Sequence, residues 1–237
     1  MKQEVFKRYE KKYLLTIPQY HTFLGKSKEY LCEDTFGSYS ISNIYFDTPD
    51  FFLIRNSLEH PRYKEKLRLR CYGEVTPDSP VFLEIKKKYD HIVYKRRTSL
   101  TLSEAEAYLY RSLPPKDGNQ ILREIDWLFA RYPLQPAIYL TCNRKAYCGK
   151  ENSDLRVTFD TNIRGRNEHL FLQDGTDGLS LLPEGMILME VKIPNAMPLW
   201  MCHLFTELSL QHCSFSKYGT YYREYICKEK KGNIKYA

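Results

Sequence analysis

Four cations at alternate positions are the residues best placed to do chemistry. In Tyr63–Tyr72, YKEKLRLRCY, the side chains Lys64, Lys66, Arg68 and Arg70 fall at i, i+2, i+4 and i+6. A strand turns such residues to one side. The other side carries Glu65, Leu67, Leu69 and Cys71, apolar over its second half, and needs something to pack against. Neighbouring cations in the row sit roughly 7 Å apart. At an effective dielectric of ~20 each pair repels by roughly 2 kcal/mol, and in bulk water by well under ~1 kcal/mol. Such a row is cheap on an open surface and costly in a cavity unless an anion neutralises it. The plain alternative is a solvated, charged sheet face.

Two following segments repeat the pattern. Val81–Lys88, VFLEIKKK, places Phe82, Glu84, Lys86 and Lys88 on one face, and Ile92–Leu100, IVYKRRTSL, places Val93, Lys95 and Arg97 on one face. Asp90 and His91 between them mark a turn, so the two segments are expected to form a hairpin. Residues 62–97 hold eleven Lys and Arg against five Asp and Glu, a local +6 that is almost the whole +7 of the 237-residue chain. A field concentrated this way points to an anionic partner.

The rest of the chain must position these strands. With 43% hydrophobic and 27% charged residues, it is neither disordered nor collagen-like. Its length suits one domain, expected over 1–237 with residues 228–237 as a frayed tail. No stretch approaches ~20 apolar residues, and MKQEVFKRYEKKYLL lacks the apolar core of a signal peptide. No membrane segment is expected, and the location is expected to be cytoplasmic. Seven cysteines, odd in number and without a CxxC pair, are read as reduced thiols. The six histidines show no ligand spacing, and no Ser or Cys nucleophile is paired with a histidine.

Further strands are expected at Phe6–Leu15, Tyr39–Asp47, Pro136–Tyr147, Asp154–Asp160 and Met186–Ile193. Helices are expected at Ser103–Leu113, Asn119–Tyr132 and Pro198–Gln211, with a short helix or loop at Pro18–Tyr30. Residues 173–185 read as a loop. About eight strands with helices in two insertions give an α+β chain whose strands favour a barrel or curled sheet. Cations on one strand face and apolar residues on the other would place the polar face inside and the helices outside.

These segments resemble the VTC domain, the polyphosphate-polymerase branch of the triphosphate tunnel metalloenzymes (CYTH-like). The matching pieces are RYEKKY (8–13), YFDTPDF (45–51), KLRLRCYG (66–73), FLEIKKK (82–88), YKRR (94–97), YLTCNRKAY (139–147), LRVTFD (155–160), LMEVKI (188–193) and FSKY (215–218), in family order over nearly the whole chain. The resemblance implies an eight-stranded antiparallel β-barrel, or tunnel, with helices packed outside. It also implies transfer of the ATP γ-phosphoryl group to a growing polyphosphate chain, with Mn²⁺ or Mg²⁺. Carried over by position, the phosphate-binding residues are Lys12, Lys66, Arg68, Arg70, Lys86, Lys95, Arg97, Arg144, Arg156, Lys192 and Lys217. Of these, Lys12, Arg68, Arg70, Lys86 and Lys95 act in catalysis with Glu190. Glu190 and Glu10 are the metal ligands. Arg8, Glu84 and Lys88 share the same parity.

Those residue types suit phosphoryl transfer, which needs positioning and charge neutralisation more than a protein nucleophile. Arginine gives bidentate phosphate contacts and lysine a point charge. Two departures stand out. Hydrolytic relatives begin with ExExK, whereas this chain has Arg8, Glu10 and Lys12, which favours the polymerase branch. Fungal polymerase members tend to have KFSK near the end, where this chain has Ser214 first. The expected partners are ATP or another nucleoside triphosphate and inorganic polyphosphate. The alternatives are a tripolyphosphate or nucleoside triphosphate hydrolase with the same tunnel, and a non-catalytic polyphosphate or nucleic-acid binder. Nucleic acid is disfavoured because the aromatics are read as falling opposite the cations, leaving no stacking platform.

Overall fold

The computed structural model describes residues 9–90, 92–115, 118–194 and 196–228. Phe6 to Arg8 of the expected first strand, His91 of the expected hairpin turn and residues 229–237 of the expected tail lie outside them. The elements in chain order are Tyr9–Thr16 (β1), Ile17–Ser27 (α1), Leu31–Asp47 (β2), Phe52–Leu58 (α2), Tyr63–Tyr72 (β3), Pro80–Tyr89 (β4) and Ile92–Thr101 (β5). Then come Leu102–Arg111 (α3), Gln120–Arg131 (α4), Gln135–Gly149 (β6), Arg156–Arg166 (β7), Leu179–Ser180 (β8) and Met186–Ile193 (β9). The series ends with Leu199–Glu207 (α5), His212–Cys213 (β10) and Lys217–Tyr221 (α6), which runs on as one π-helical turn over Tyr222–Ile226.

Contacts divide the chain into two compact units. The first takes the chain up to Tyr39, Cys142–Ile163 and Leu182–Phe215; the second takes Ser40–Thr141, Arg164–Leu181 and the chain from Ser216. Hydrogen bonding orders the strands β10-β1-β9-β7-β6-β2-β3-β4-β5, with β8 beside β7. The described strands number ten rather than eight, and the order has β10 at one end and β5 at the other. The antiparallel, helix-bearing sheet is therefore present, while the closed eight-stranded barrel is not what the pairing establishes.

In the first unit, β1, β7 and β9 alternate between two faces. Tyr13, Leu15, Val157, Phe159, Met189 and Val191 pack with Phe23 of α1 and Met201, Leu204 and Phe205 of α5 into one apolar cluster. Each side chain of this size taken fully from water contributes about 1.5–3 kcal/mol. Helix α1 starts where it does because Thr16 and Gln19 form a reciprocal capping box.

In the second unit, β3 buries Leu67, Leu69 and Cys71, and β4 buries Val81, Leu83 and Ile85. They meet α3 and α4 through Leu102, Ala105, Leu122, Ile125 and Leu128. Thr101 and Glu104 cap α3 as another capping box, and the Asn119 side chain accepts from the amides of Ile121 and Leu122 to start α4. Helix α2 was not expected. Its flanking residue Phe51 has φ 62° and offers no side-chain cap. Its free amides are met from upstream by Asp47, fully buried, which accepts from the amides of Thr48, Leu53 and Ile54 and from the Tyr218 hydroxyl.

Asp47→Ala would leave those donors buried without a partner. A loss of about 3 kcal/mol or more is expected, since hydrogen bonds to a charged group contribute about 1.5–3 kcal/mol each. Urea unfolding checks this, and an unchanged midpoint would contradict the role given to Asp47.

Candidate functional site

The basic face of β3, β4 and β5 lies in the second unit. The register sets Arg68 opposite Glu84 and Glu84 opposite Arg97; one step along, Lys66 faces Lys86 and Lys86 faces Lys95. Glu84 is 1% exposed at the centre of four cations. Its Oε2 accepts from Arg68 Nε at 2.7 Å, with Arg68 Nη2 at 2.5 Å and Arg70 Nε at 3.9 Å. Lys95 Nζ lies 2.8 Å and Arg97 Nη1 3.8 Å from Oε1. Oε1 has these charges beside it without an aligned hydrogen bond.

Burial would raise the Glu84 pKa, but Arg68, Arg70 and Lys95 overrule it and hold the value down at about 2. The carboxylate stays charged, cancels part of the cationic field and fixes the arginines. Arg68 also donates to the Tyr45 hydroxyl at 3.0 Å, and Arg70 Nε donates to Asn43 Oδ1 at 2.8 Å. Burial raises the Tyr45 pKa, yet Arg68, Arg70 and Lys66 bring it down to about 8. Burial, with Arg68 and Arg70 beside it, holds the Lys95 pKa below its usual value despite the raising effect of Glu84.

Rings accompany these cations. Arg97 lies 3.9 Å from the Phe82 centroid, Arg68 5.9 Å from Tyr45, Arg70 5.9 Å from Tyr72 and Lys66 6.0 Å from Tyr218. The expectation that the aromatics fall opposite the cations is thus corrected. Tyr45, Phe82 and Tyr72 share or adjoin the cationic face because the register brings them there. Lys217 is half-buried at the start of α6, next in the chain to Tyr218.

A separate charged group lies in the first unit. Glu190 on β9 stands opposite Lys12 on β1 and Thr158 on β7, and Lys192 stands opposite Glu10 and Arg156. Lys192 Nζ is 3.0 Å and Lys12 Nζ 3.9 Å from the Glu190 carboxylate. Lys12 also lies 3.4 Å from Glu10 and donates to the Phe215 carbonyl at 2.9 Å. Arg144 forks onto the buried Asp160 at 2.6 and 2.7 Å, and Arg156 bonds Asp34 at 2.6 Å. Burial opposes the Arg144 charge, but Asp160 outweighs it and raises the pKa.

Glu10, Lys12, Glu190 and Lys192 thus come together, with Arg144 and Arg156 on neighbouring strands, and Lys66, Arg68, Arg70, Lys86, Lys95 and Arg97 come together in the second unit. Sequence reasoning did not single out Tyr45, Asn43, Asp34, Thr158 or Asp160. Asp160 and Tyr45 lie within matching segments, but nothing in their spacing marks them as partners of arginine.

No group of three or more His, Cys, Asp or Glu side chains placed to hold a metal occurs among the described residues. The donors available are the Glu190 and Glu10 carboxylates and the buried Thr158 Oγ1, which has no hydrogen-bond partner among the described residues. A hard cation that takes one or two carboxylates and completes its shell with phosphate oxygens and water fits this sparse set. A soft or fully protein-coordinated ion does not.

The Glu84 pKa has a consequence for acid stability. Its folded value of about 2 lies below the reference 4.5, so its stabilising contribution is complete above pH 4.5 and is lost as pH falls through 2. That difference corresponds to about 3 kcal/mol. The stability gap between wild type and Glu84→Gln should shrink between pH 6 and pH 2.5 in chemical denaturation. Parallel curves over that range would count against the assignment.

The VTC domain model matches residues 7–225. Vacuolar transporter chaperone complex subunit 4 of Trypanosoma cruzi (strain CL Brener) is 27% identical over 197 residues, 68% of this chain and 24% of the relative. The protein of the same name from Trypanosoma brucei brucei is 28% identical over 218 residues, 77% of this chain and 27% of the relative. The chain spans about a quarter of the length of these curated relatives. Among solved structures, a candidate adenylate cyclase from Bacillus halodurans aligns with TM-score 0.53 at 14% identity, covering 87% of this chain and 92% of that one. A candidate adenylyl cyclase from Hippeastrum, for which a dominant triphosphatase activity is described, aligns with TM-score 0.50 at 14% identity, covering 90% and 93%. Such likeness shows the fold, and the match over residues 7–225 shows that the chain belongs to the VTC domain family.

Proposed function

We propose that the protein is a metal-dependent polyphosphate polymerase, which transfers the γ-phosphoryl group of ATP to the end of a growing polyphosphate chain. The observation that carries this reading is the cationic lattice on β3–β5, organised around one buried carboxylate and unable to neutralise itself. Family membership and the names of the relatives support it. A closed eight-stranded tunnel is part of the proposal, supported by the alternation of charged and apolar positions along β1, β3, β4, β5 and β9. So is a cytoplasmic location, supported by seven free cysteines and by the lack, among the described residues, of a helix long and apolar enough to cross a membrane.

In this reading a terminal phosphate oxygen of the chain attacks the γ-phosphorus. A new P–O bond forms as the bond to the β-phosphate oxygen breaks, and ADP leaves. The protein supplies no nucleophile. Arg68 and Arg70, held by Glu84, Tyr45 and Asn43, present guanidinium groups whose positions are set before substrate arrives. Lys66, Lys86, Lys95, Arg97 and Lys217 add charge, and Lys12, Arg144, Arg156 and Lys192 do the same in the first unit. Preset donors of this kind stabilise charge developing on the transferred group. Glu190, with Glu10, would hold Mn²⁺ or Mg²⁺, which neutralises phosphate charge when bound. Lys12 and Lys192 then serve phosphate oxygens as well as the carboxylates.

Incubation with ATP and Mn²⁺ should yield ADP and long polyphosphate, read on a gel. Glu190→Gln should lower turnover about a hundredfold or more without changing the melting profile, and Arg70→Ala should weaken ATP and polyphosphate binding. Release of inorganic phosphate without chain growth would replace the polymerase with a hydrolase on the same residues. Wild-type turnover in Glu190→Gln would remove the metal assignment.

A further inference from the structure

We propose that Cys32 and Cys148 are a reversible redox site: a small-molecule disulfide oxidises the two thiols to a bond joining β2 to β6, and that bond holds Asp34 on Arg156. The covalent part is independent of the phosphoryl-transfer reading; its effect on ligand binding rests on that reading, through Arg156.

Both cysteines lie in the first unit, on strands that are hydrogen-bonded neighbours. Their sulfur atoms are 3.3 Å apart. Each thiol also approaches the other residue's backbone carbonyl, with Cys32 Sγ 3.5 Å from the Cys148 oxygen and Cys148 Sγ 3.8 Å from the Cys32 oxygen. Such reciprocal contacts belong to residues that face each other across a ladder. Facing residues have Cα atoms about 4.5–5.5 Å apart, inside the roughly 4.4–6.8 Å that a disulfide spans. The backbone at this end is already pinned: the Lys150 amide donates to the Tyr30 carbonyl at 2.9 Å, and the Lys150 ammonium to the Lys28 carbonyl at 2.7 Å. Both cysteines are half-buried, within reach of a small reagent, whereas Cys71 and Cys142 are buried.

The chemistry is thiol–disulfide exchange. One cysteine thiolate attacks a sulfur of the small disulfide, whose S–S bond breaks as one small thiolate leaves. The other cysteine thiolate then attacks the protein sulfur of the mixed disulfide, and the second small thiolate leaves. Two thiols of the chain are oxidised, one small disulfide is reduced to two thiols, and the two protons pass to those thiols. The Cys32 thiol pushes the Cys148 pKa up, and burial adds to it. Exchange is therefore slow near neutrality, and the ambient redox poise sets the state. Asp34 stands two residues after Cys32 and shares its side of β2. With the strands in the order β7-β6-β2, the 2.6 Å pair of Asp34 and Arg156 reaches across β6, which carries Cys148. Closing the bond draws the sulfurs to about 2.05 Å and removes freedom from the segment that carries Asp34. A pre-organised Asp34 holds the guanidinium at a smaller entropic cost, so a phosphate competes less well for Arg156.

The test equilibrates the full chain, as wild type and as Cys32→Ser/Cys148→Ser, in mixtures of reduced and oxidised glutathione. In the oxidised mixture the intact mass of wild type should fall by two hydrogen atoms, and mapping should give one cross-linked peptide pair containing Cys32 and Cys148. Excess reduced glutathione should reopen it. The melting midpoint should rise by about 5 °C or more on oxidation, and the double variant should show no such rise. The mapping needs wild type alone, so it holds even if the variant folds poorly. Unchanged thiols, glutathione left on either cysteine without a bridge, or a bridge between other cysteines would overturn the site. A bridge that reduced glutathione fails to reopen would overturn its reversibility. Calorimetry should show long-chain polyphosphate binding about threefold more weakly to oxidised than to reduced wild type. Equal affinity in the two states would overturn the hold on Arg156 and leave the transfer reading intact. A mapped bridge in a chain that binds no polyphosphate in either state would sink the transfer reading and keep the bridge.

Discussion

The basic face of the second unit depends on the buried carboxylate of Glu84. Remove Glu84 and four cations share a partly enclosed face with nothing between them. With it, the nearest arginines are both neutralised in part and fixed in place. Its negative charge is itself maintained by those cations against a strong burial cost, so acid and bases hold each other in the charged state. The balance is deliberately incomplete. One carboxylate cannot satisfy Arg68, Arg70, Lys95 and Arg97 together, and a net positive charge remains on this face.

The first unit solves a related problem differently. There Arg144 is locked one-to-one by Asp160, and Arg156 by Asp34, while Glu190 and Glu10 share two lysines. Charge is nearly matched, which favours reversible exchange of partners over a standing positive field. The two units therefore differ in charge balance: a surplus of positive charge in one, and carboxylates matched by cations in the other.

Much of this was legible in the amino-acid order because strand geometry repeats every two residues. Lys64 to Arg70 announce a cationic face, and Leu67 and Leu69 announce the core behind it. The burial of Glu84 was not legible. Its parity is plain, but its surroundings come from Arg68, Arg70, Lys95 and Arg97 on neighbouring strands, and register is a long-range property. Helix α2 was hidden for a similar reason: its amides are met by Asp47, several residues upstream, while Phe51 reads as nothing special. The early half of β2 was also missed, because its mixture of Cys32, Glu33, Asp34 and Gly37 blurs the alternation. Cys32 and Cys148 read as scattered thiols, yet β2 and β6 bring their sulfur atoms to 3.3 Å.

The arginines and lysines of the basic face are not distributed alike. Arg68 and Arg70 sit deep, each tied to a carboxylate and a neutral side chain, whereas Lys86 and Lys88 stand farther out on long, rotatable stems. The inner part behaves as a rigid die and the outer part as a set of soft bristles. A die discriminates by geometry and holds one arrangement of oxygens in place. Bristles respond to charge alone, so the outer lysines leave the orientation of whatever anion meets them unfixed.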